Sequence, residues 1–184
     1  MFIFVLIKTI TMKKLFVSLM LMGSLVGLSQ NPAEKELVFG KDSIDYDLLN
    51  TLVEIQINRF RKENGLDTLT SDKSLREVAH RNSYRCYKME GTQIKHTDKN
   101  VYEVALYGTT NYKASLNQLA RISFLIWKMS PPHREILLSK NVKHFGAGNV
   151  IGFKMIWENI GSFKNPDQMG WIKNYYQWVS VRFN

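Results

Sequence analysis

Two histidines and one carboxylate stand out as residues able to do chemistry together. His96 and His133 each lie in or beside irregular polar segments, Ile94-Lys-His-Thr-Asp98 and Ser130-Pro-Pro-His-Arg-Glu135, and Glu103 follows His96 by seven residues. Two imidazoles and a carboxylate can hold a divalent metal with an open fourth position, or pass protons. The other two histidines read differently. His80 sits on a helix away from its apolar centre and His144 precedes a strand, so surface or structural roles are expected for both. Cys86 falls on an apolar helix face with no activating group nearby in sequence, which reads as a small buried hydrophobe rather than a nucleophile. The chain carries no GxGxxG, P-loop, HExxH or GxSxG motif.

The elements that must position these residues follow from hydrophobic spacing. Ser43 is placed to cap a helix running to Asn64 and stopped by Gly65. Its buried faces carry Leu49, Leu52, Val53 and Phe60, widened by Leu48, Ile55 and Ile57. Ser71 or Asp72 caps a second helix to Met89. Leu75, Val78, Ala79, Asn82, Cys86 and Met89 share one face of it, with Arg81, Arg85 and Lys88 on a solvated stripe. Residues 90–111, rich in Gly, Asn, Asp and Thr, read as a loop. A third helix over 112–128 buries Leu116, Leu119, Ala120, Ser123 and Trp127. Ser130-Pro131-Pro132 breaks it, and Pro132 opens a short helix from His133 to Leu138. Three strands follow, Val142–Val150, Phe153–Ile160 and Trp171–Phe183. Helices first and strands last give an α+β arrangement.

The chain has 184 residues, 45% hydrophobic and 22% charged, with a single cysteine. That fits one globular domain and excludes an internal disulfide framework or a Cys-cluster metal site. Lys13 and Lys14 precede an uncharged stretch, Leu15–Leu28, with small residues Gly27 and Ser29 before Gln30. This reads as a signal peptide over residues 1–29, too short for a comfortable membrane span, with Met12 as a credible alternative start to Met1. Residues 30–42 read as a polar leader and 43–184 as the domain. Loss of Lys8, Lys13 and Lys14 lowers the formal charge from +9 to +6, with no run of like charges, so nucleic acid is not an expected partner. A secreted or periplasmic protein without a transmembrane span after cleavage is expected.

The order of motifs carries a resemblance. Residues 58–79 have the pattern N-x-x-R-x-x-x-G-L-x-x-L-x-x-D-x-x-L-x-x-x-A through Asn58, Arg61, Gly65, Leu66, Leu69, Asp72, Leu75 and Ala79. His96 and Glu103 come next, then Trp127, Ser130, Pro131, His133 and Arg134, then Phe145, Gly146 and Gly148, and an aromatic strand ending in Phe183. The ordered set resembles the CAP superfamily, or SCP-like domain, in its disulfide-free bacterial form, over about residues 45–184. The resemblance implies a three-layer α-β-α sandwich with a small antiparallel sheet between helices. It also implies a cleft lined by His96, Glu103 and His133, with His96 and His133 as ligands to a divalent metal such as zinc. No other cofactor is implied. Two departures bear on the site. The family's G-E-N motif stands here as Tyr102-Glu103-Val104, while Trp157-Glu158-Asn159-Ile160 matches its text in the wrong order. Ser130 stands where many members carry a second cleft glutamate, which argues against a two-carboxylate mechanism.

One fold hosts several functions. The expected function is a secreted binding or interaction module, holding a small ligand or a metal, rather than an enzyme. The alternatives are a secreted, protease-like hydrolase using a metal- or Glu103-activated water, and a protein binding lipid or an envelope component.

Overall fold

The computed structural model describes residues 31–89, 102–110, 113–159 and 168–184. The signal-peptide reading over 1–29 and the position of His96 lie outside the described residues. Ala33–Asn184 forms one compact unit, and the fold described is that unit's.

Four helices and six strands are present among the described residues. In chain order they are β1 (Glu36–Val38), α1 (Tyr46–Glu63), β2 (Thr70–Ser71), α2 (Lys73–Lys88), β3 (Tyr102–Thr110), β4 (Lys113–Ser115), α3 (Leu116–Met129), α4 (Pro131–Leu137), β5 (His144–Asn159) and β6 (Met169–Phe183). The main sheet has the order β2-β5-β6-β3, antiparallel except for β2 beside β5, and β1 pairs with β4 in a separate antiparallel ribbon.

The register sorts side chains onto two faces. Val104, Val181, Ala147, Val179, Phe145 and Phe183 share one face. They join Leu49, Val53, Ile57 and Phe60 of α1, Leu116, Leu119, Phe124 and Trp127 of α3, and Leu137 of α4 in a single buried cluster. The opposite face carries Glu103, Arg182, Gly146, Ser180, Gly148, Trp178 and Tyr176, and it receives α2. The result is the expected α-β-α sandwich, with α2 the one helix on its side among the described residues.

Glycine decides how closely α2 seats. A Cβ on Gly146 would overlap the backbone of Leu75 and Arg76, and one on Gly148 the backbone of Ala79 and His80. Ser180 Oγ donates to the Ala79 carbonyl at 2.9 Å and Ser83 Oγ to the Gly148 carbonyl at 2.8 Å. The helix therefore lies on bare strand backbone and is stitched to it by hydroxyls.

Several expectations are corrected. Residues 102–110 form β3 rather than loop: Val104 packs into the core, and the strand runs in register with β6 along its whole length. The two strands expected over 142–160 are one, since Gly146, Gly148 and Gly152 sit under α2 and its Tyr87 rather than breaking the strand. Asp45, not Ser43, caps α1, accepting from Leu48 N at 2.9 Å. Helix α3 begins at Leu116 because Ser115 and Gln118 form a reciprocal capping box, which leaves Lys113–Ser115 to pair with β1. β1 itself lies within the residues read as a leader, with Leu37 buried in it and Phe39 buried next to it. Other expectations stand. Asp72 caps α2, and Ser130 ends α3 with extended φ/ψ of −91° and 114°. The short helix after this break is present but runs Pro131–Leu137, with both prolines in its first two positions rather than ahead of a start at His133.

Candidate functional site

The sequence motifs that carried the resemblance turn out to be braces. Asn58 on α1 mimics a strand toward Leu69: its Nδ2 donates to the Leu69 carbonyl at 3.0 Å and its Oδ1 accepts from Leu69 N at 2.8 Å. Arg61, one turn on, is buried and donates to three carbonyls, Asp67 at 2.9 Å and Leu137 and Ser139 at 2.8 Å each. A guanidinium offers five donors in a fixed fork, so one side chain can hold the α1–β2 turn and the end of α4 together. Gly65 supplies the left-handed turn after α1 at φ 71°.

Glu103 lies on β3, on the face covered by α2, and is almost fully buried. Its Oε1 accepts from Asn82 Nδ2 of α2 at 2.9 Å and from Arg182 Nε of β6 at 3.1 Å. Asn82 Oδ1 in turn accepts from Arg85 Nη2 at 3.0 Å. Because arginine only donates, this fixes which way the Asn82 amide points. Removing one partner from such a buried pair leaves an uncompensated charge and costs about 3–5 kcal/mol. The sequence placed Asn82 on the buried stripe but did not read its role. The signal was there, since a polar residue in an apolar stripe must find a buried partner. Arg182, alternating with valines in the last strand, carries the same signal, while Arg85 is exposed, as its place on the solvated stripe predicts, and reaches Asn82 from that side.

His133 sits in the first turn of α4, half-buried, with Nδ1 3.0 Å from Ser130 Oγ. The hydroxyl standing at the family's second-glutamate position therefore orients this imidazole. Glu103 and His133 are thus anchored on different groups, and no set of three His, Cys, Asp or Glu side chains is placed to hold a metal among the described residues. His133, with one ring nitrogen fixed by a hydroxyl, fits the role of a single metal ligand. His96, the second proposed ligand, lies outside the described residues.

A groove of about 920 Å³ opens between α1 and α2, lined by Tyr46, Asp47, Asn50, Arg76, Glu77 and His80 among others. Two of its lining side chains, Tyr46 and His80, brace the outer edge of β5, and Glu54 does the same from beside Arg76. Glu54 accepts from Ala147 N at 3.0 Å while binding Arg76 through both oxygens at 2.8 and 2.6 Å. His80 Nδ1 lies 3.1 Å from the Asn149 carbonyl, so the proton is on Nδ1, because a carbonyl only accepts. The Tyr46 hydroxyl donates to the Ile151 carbonyl at 3.4 Å and accepts from Ile151 N at 3.2 Å. Burial pushes the Tyr46 phenol above its ordinary range, opposed by the bond to Ile151. His80 is thus a strand-edge brace, in line with its expected structural role. Behind the groove a buried amide chain runs across the sheet, Ser123 to Gln177 to Asn149 to Asn50. Cys86 is buried on α2, as its place on the apolar stripe required.

An α-β-α sandwich whose signature residues are internal braces, with a half-buried histidine at the start of α4 and a tethered glutamate buried beneath α2, is the class of domain defined here. The pattern of the CAP family, described as the Cysteine-rich secretory protein family, matches residues 55–152, and the chain belongs to that family. No curated protein matches it. Among solved structures it is similar to an outer surface protein from Borrelia burgdorferi, at 16% identity over 78% of this chain and 97% of that one, TM-score 0.45. It is also similar to MpPR-1i, at 14% identity over 76% and 90%, TM-score 0.49. A cysteine-rich secretory protein from Staphylococcus aureus is 13% identical over 77% of this chain and 40% of that one, TM-score 0.44. No helix among the described residues is long and apolar enough to cross a membrane.

Proposed function

We propose that this CAP domain is exported and acts as a binding module, its cleft lined by His96, Glu103 and His133 and taking a small ligand or a divalent metal. The reading rests on Glu103. Its side chain is only 1% exposed, and the guanidinium of Arg182 and the amide of Asn82 converge on one carboxylate oxygen. A hydrolase that used Glu103 to activate water would have to admit that water to a buried ion pair and break the bonds that hold it. A binding module needs Glu103 only as a fixed brace that holds Arg182 and Asn82 in place. His96 and His133 would supply the metal ligands, with water completing the shell, and the bound ion would offer a Lewis-acidic contact for an anionic ligand group. Export rests on the basic and apolar N-terminal sequence.

The test is a thermal melt with and without zinc. Zinc is expected to raise the melting temperature of the wild type, and the double change His96→Ala/His133→Ala to abolish that rise. Peptide-library turnover that vanished in Glu103→Gln would replace the binding module with a hydrolase.

A further inference from the structure

Helix α3 is apolar on two opposite faces. One, with Leu116, Leu119, Ala120, Phe124 and Trp127, is buried in the main cluster. The other is not. At 100° per residue Ile122, Leu125, Ile126 and Met129 fall within about 100° of one another, the i, i+3, i+4, i+7 spacing of a packing stripe. They stand in solvent at 52%, 39%, 43% and 82% exposure. Single exposed apolar residues are ordinary, but a contiguous stripe rimmed by polar groups marks a surface that meets something apolar.

The rim says what that is. Arg121 and Lys128 lie on one flank of the stripe and line a groove with Arg59 and Glu63 of α1. Arg134 and Glu135 of α4 lie by Met129 at its end. Arg59, Arg121 and Arg134 have no ion-pair partner among the described residues, and the Lys128 ammonium rests over the Phe60 ring at 4.9 Å. Four cations against two acids therefore border the apolar residues, and α3 itself holds no acid from Leu116 to Met129.

We propose that the outer face of α3 docks on the surface of an anionic lipid bilayer, with Ile122, Leu125, Ile126 and Met129 at the acyl boundary and Arg59, Arg121, Lys128 and Arg134 against lipid phosphates. An apolar stripe with a basic rim is the arrangement of a helix that lies in a membrane interface. A second copy of the chain fits worse. Antiparallel pairing of two such stripes, centred between Leu125 and Ile126, would set Arg121 of one copy against Lys128 of the other, with no acid on either helix to offset them. From Ile122 to Met129 the stripe spans only about 10 Å, so the docking is shallow, reversible and weakened by salt. The surface shares no residue with the cleft of His96, Glu103 and His133, so the inference goes beyond the binding reading and does not depend on it.

Co-sedimentation with vesicles tests it, on the chain from Gln30 so that the apolar N-terminal stretch plays no part. Vesicles of mixed phosphatidylglycerol and phosphatidylcholine are expected to carry the protein down. Phosphatidylcholine alone should bind it about tenfold less well or worse, since basic residues gain only at a charged surface. Ile122→Ser/Met129→Ser and Arg121→Glu/Arg134→Glu should each weaken binding about tenfold or more, while Ile122→Leu/Met129→Leu keeps it. Far-UV melts check the fold, and the charge reversal keeps the test decisive if the serine change weakens it. His96→Ala/His133→Ala should sediment like the wild type. A wild type left in the supernatant by both vesicles would overturn the proposal, as would equal binding to the two. So would a serine or glutamate variant that binds like the wild type, or loss of binding in the double-histidine change, which would move the contact to the cleft. Light scattering that showed a wild-type dimer, dissociated by Ile122→Ser/Met129→Ser, would give the stripe to a second copy and also end the proposal.

Discussion

The two halves of β5 are one strand in two environments. From His144 to Ile151 the strand is covered on both faces, and its outward backbone groups are taken one after another by Asp72 N, Glu54, His80 and Tyr46. From Phe153 onward the same backbone geometry continues, but Phe153, Met155 and Trp157 stand in solvent. The proximal half is where the family's Phe-Gly-x-Gly signature falls, and its glycines are there so that α2 can rest on backbone. The distal half has no such constraint. The family signature therefore specifies a scaffold, and chemistry particular to this chain is to be sought where the signature ends.

The sharpest way to break this contrast is to put a side chain into the proximal half. Gly148→Val should cost about 3 kcal/mol or more by urea denaturation, because its neighbours are the backbone of Ala79 and His80, which cannot turn aside as a side chain can. A loss under about 1 kcal/mol would mean that α2 is free to shift.

Tyr46→Phe tests the capped edge. It removes the hydroxyl that serves both Ile151 groups and should cost about 1 kcal/mol near neutral pH. The effect also has a pH signature. The folded phenol titrates above the unfolded value near 10.0, so an alkaline solution ionises the unfolded chain first. The wild type's advantage over Tyr46→Phe should be full below pH 10 and shrink as pH climbs from there toward the raised folded value. An advantage that stayed constant across that range would place the phenol in water rather than against the strand.

Trp157→Ser should change least. At low protein concentration its cost should stay within about 0.5 kcal/mol, the range of ordinary substitutions at exposed positions. A loss above about 2 kcal/mol would show the distal ribbon to be core after all and erase the contrast.

What the sequence made legible was what is local. Helical spacing identified α1, α2 and α3, and the Ser-Pro-Pro break placed the α3–α4 junction, because caps, prolines and apolar stripes act over a few residues. β3 escaped because its alternation is disguised: Val104 and Leu106 face the core, but their neighbours include Glu103, Tyr107 and Gly108. Burial of Glu103 makes sense only with Arg182, which lies 79 residues further on. β5 was cut in two for the same reason, since its glycines look like breakers until α2 is laid over them. The candidate cleft is least legible of all, since which groups face His133 depends on contacts that no spacing rule encodes.

The strand order of the main sheet also sets a timetable. β6 lies between β5 and β3 and is hydrogen-bonded to both along most of its length, yet it is the last of the sheet's strands to be synthesised. β3 must wait for a partner that emerges only after the whole of α3, α4 and β5, so neither face of the sandwich has a complete surface to close on before then. Pairings this distant in sequence form slowly. A chain built in that order keeps its sheet open until β6 arrives.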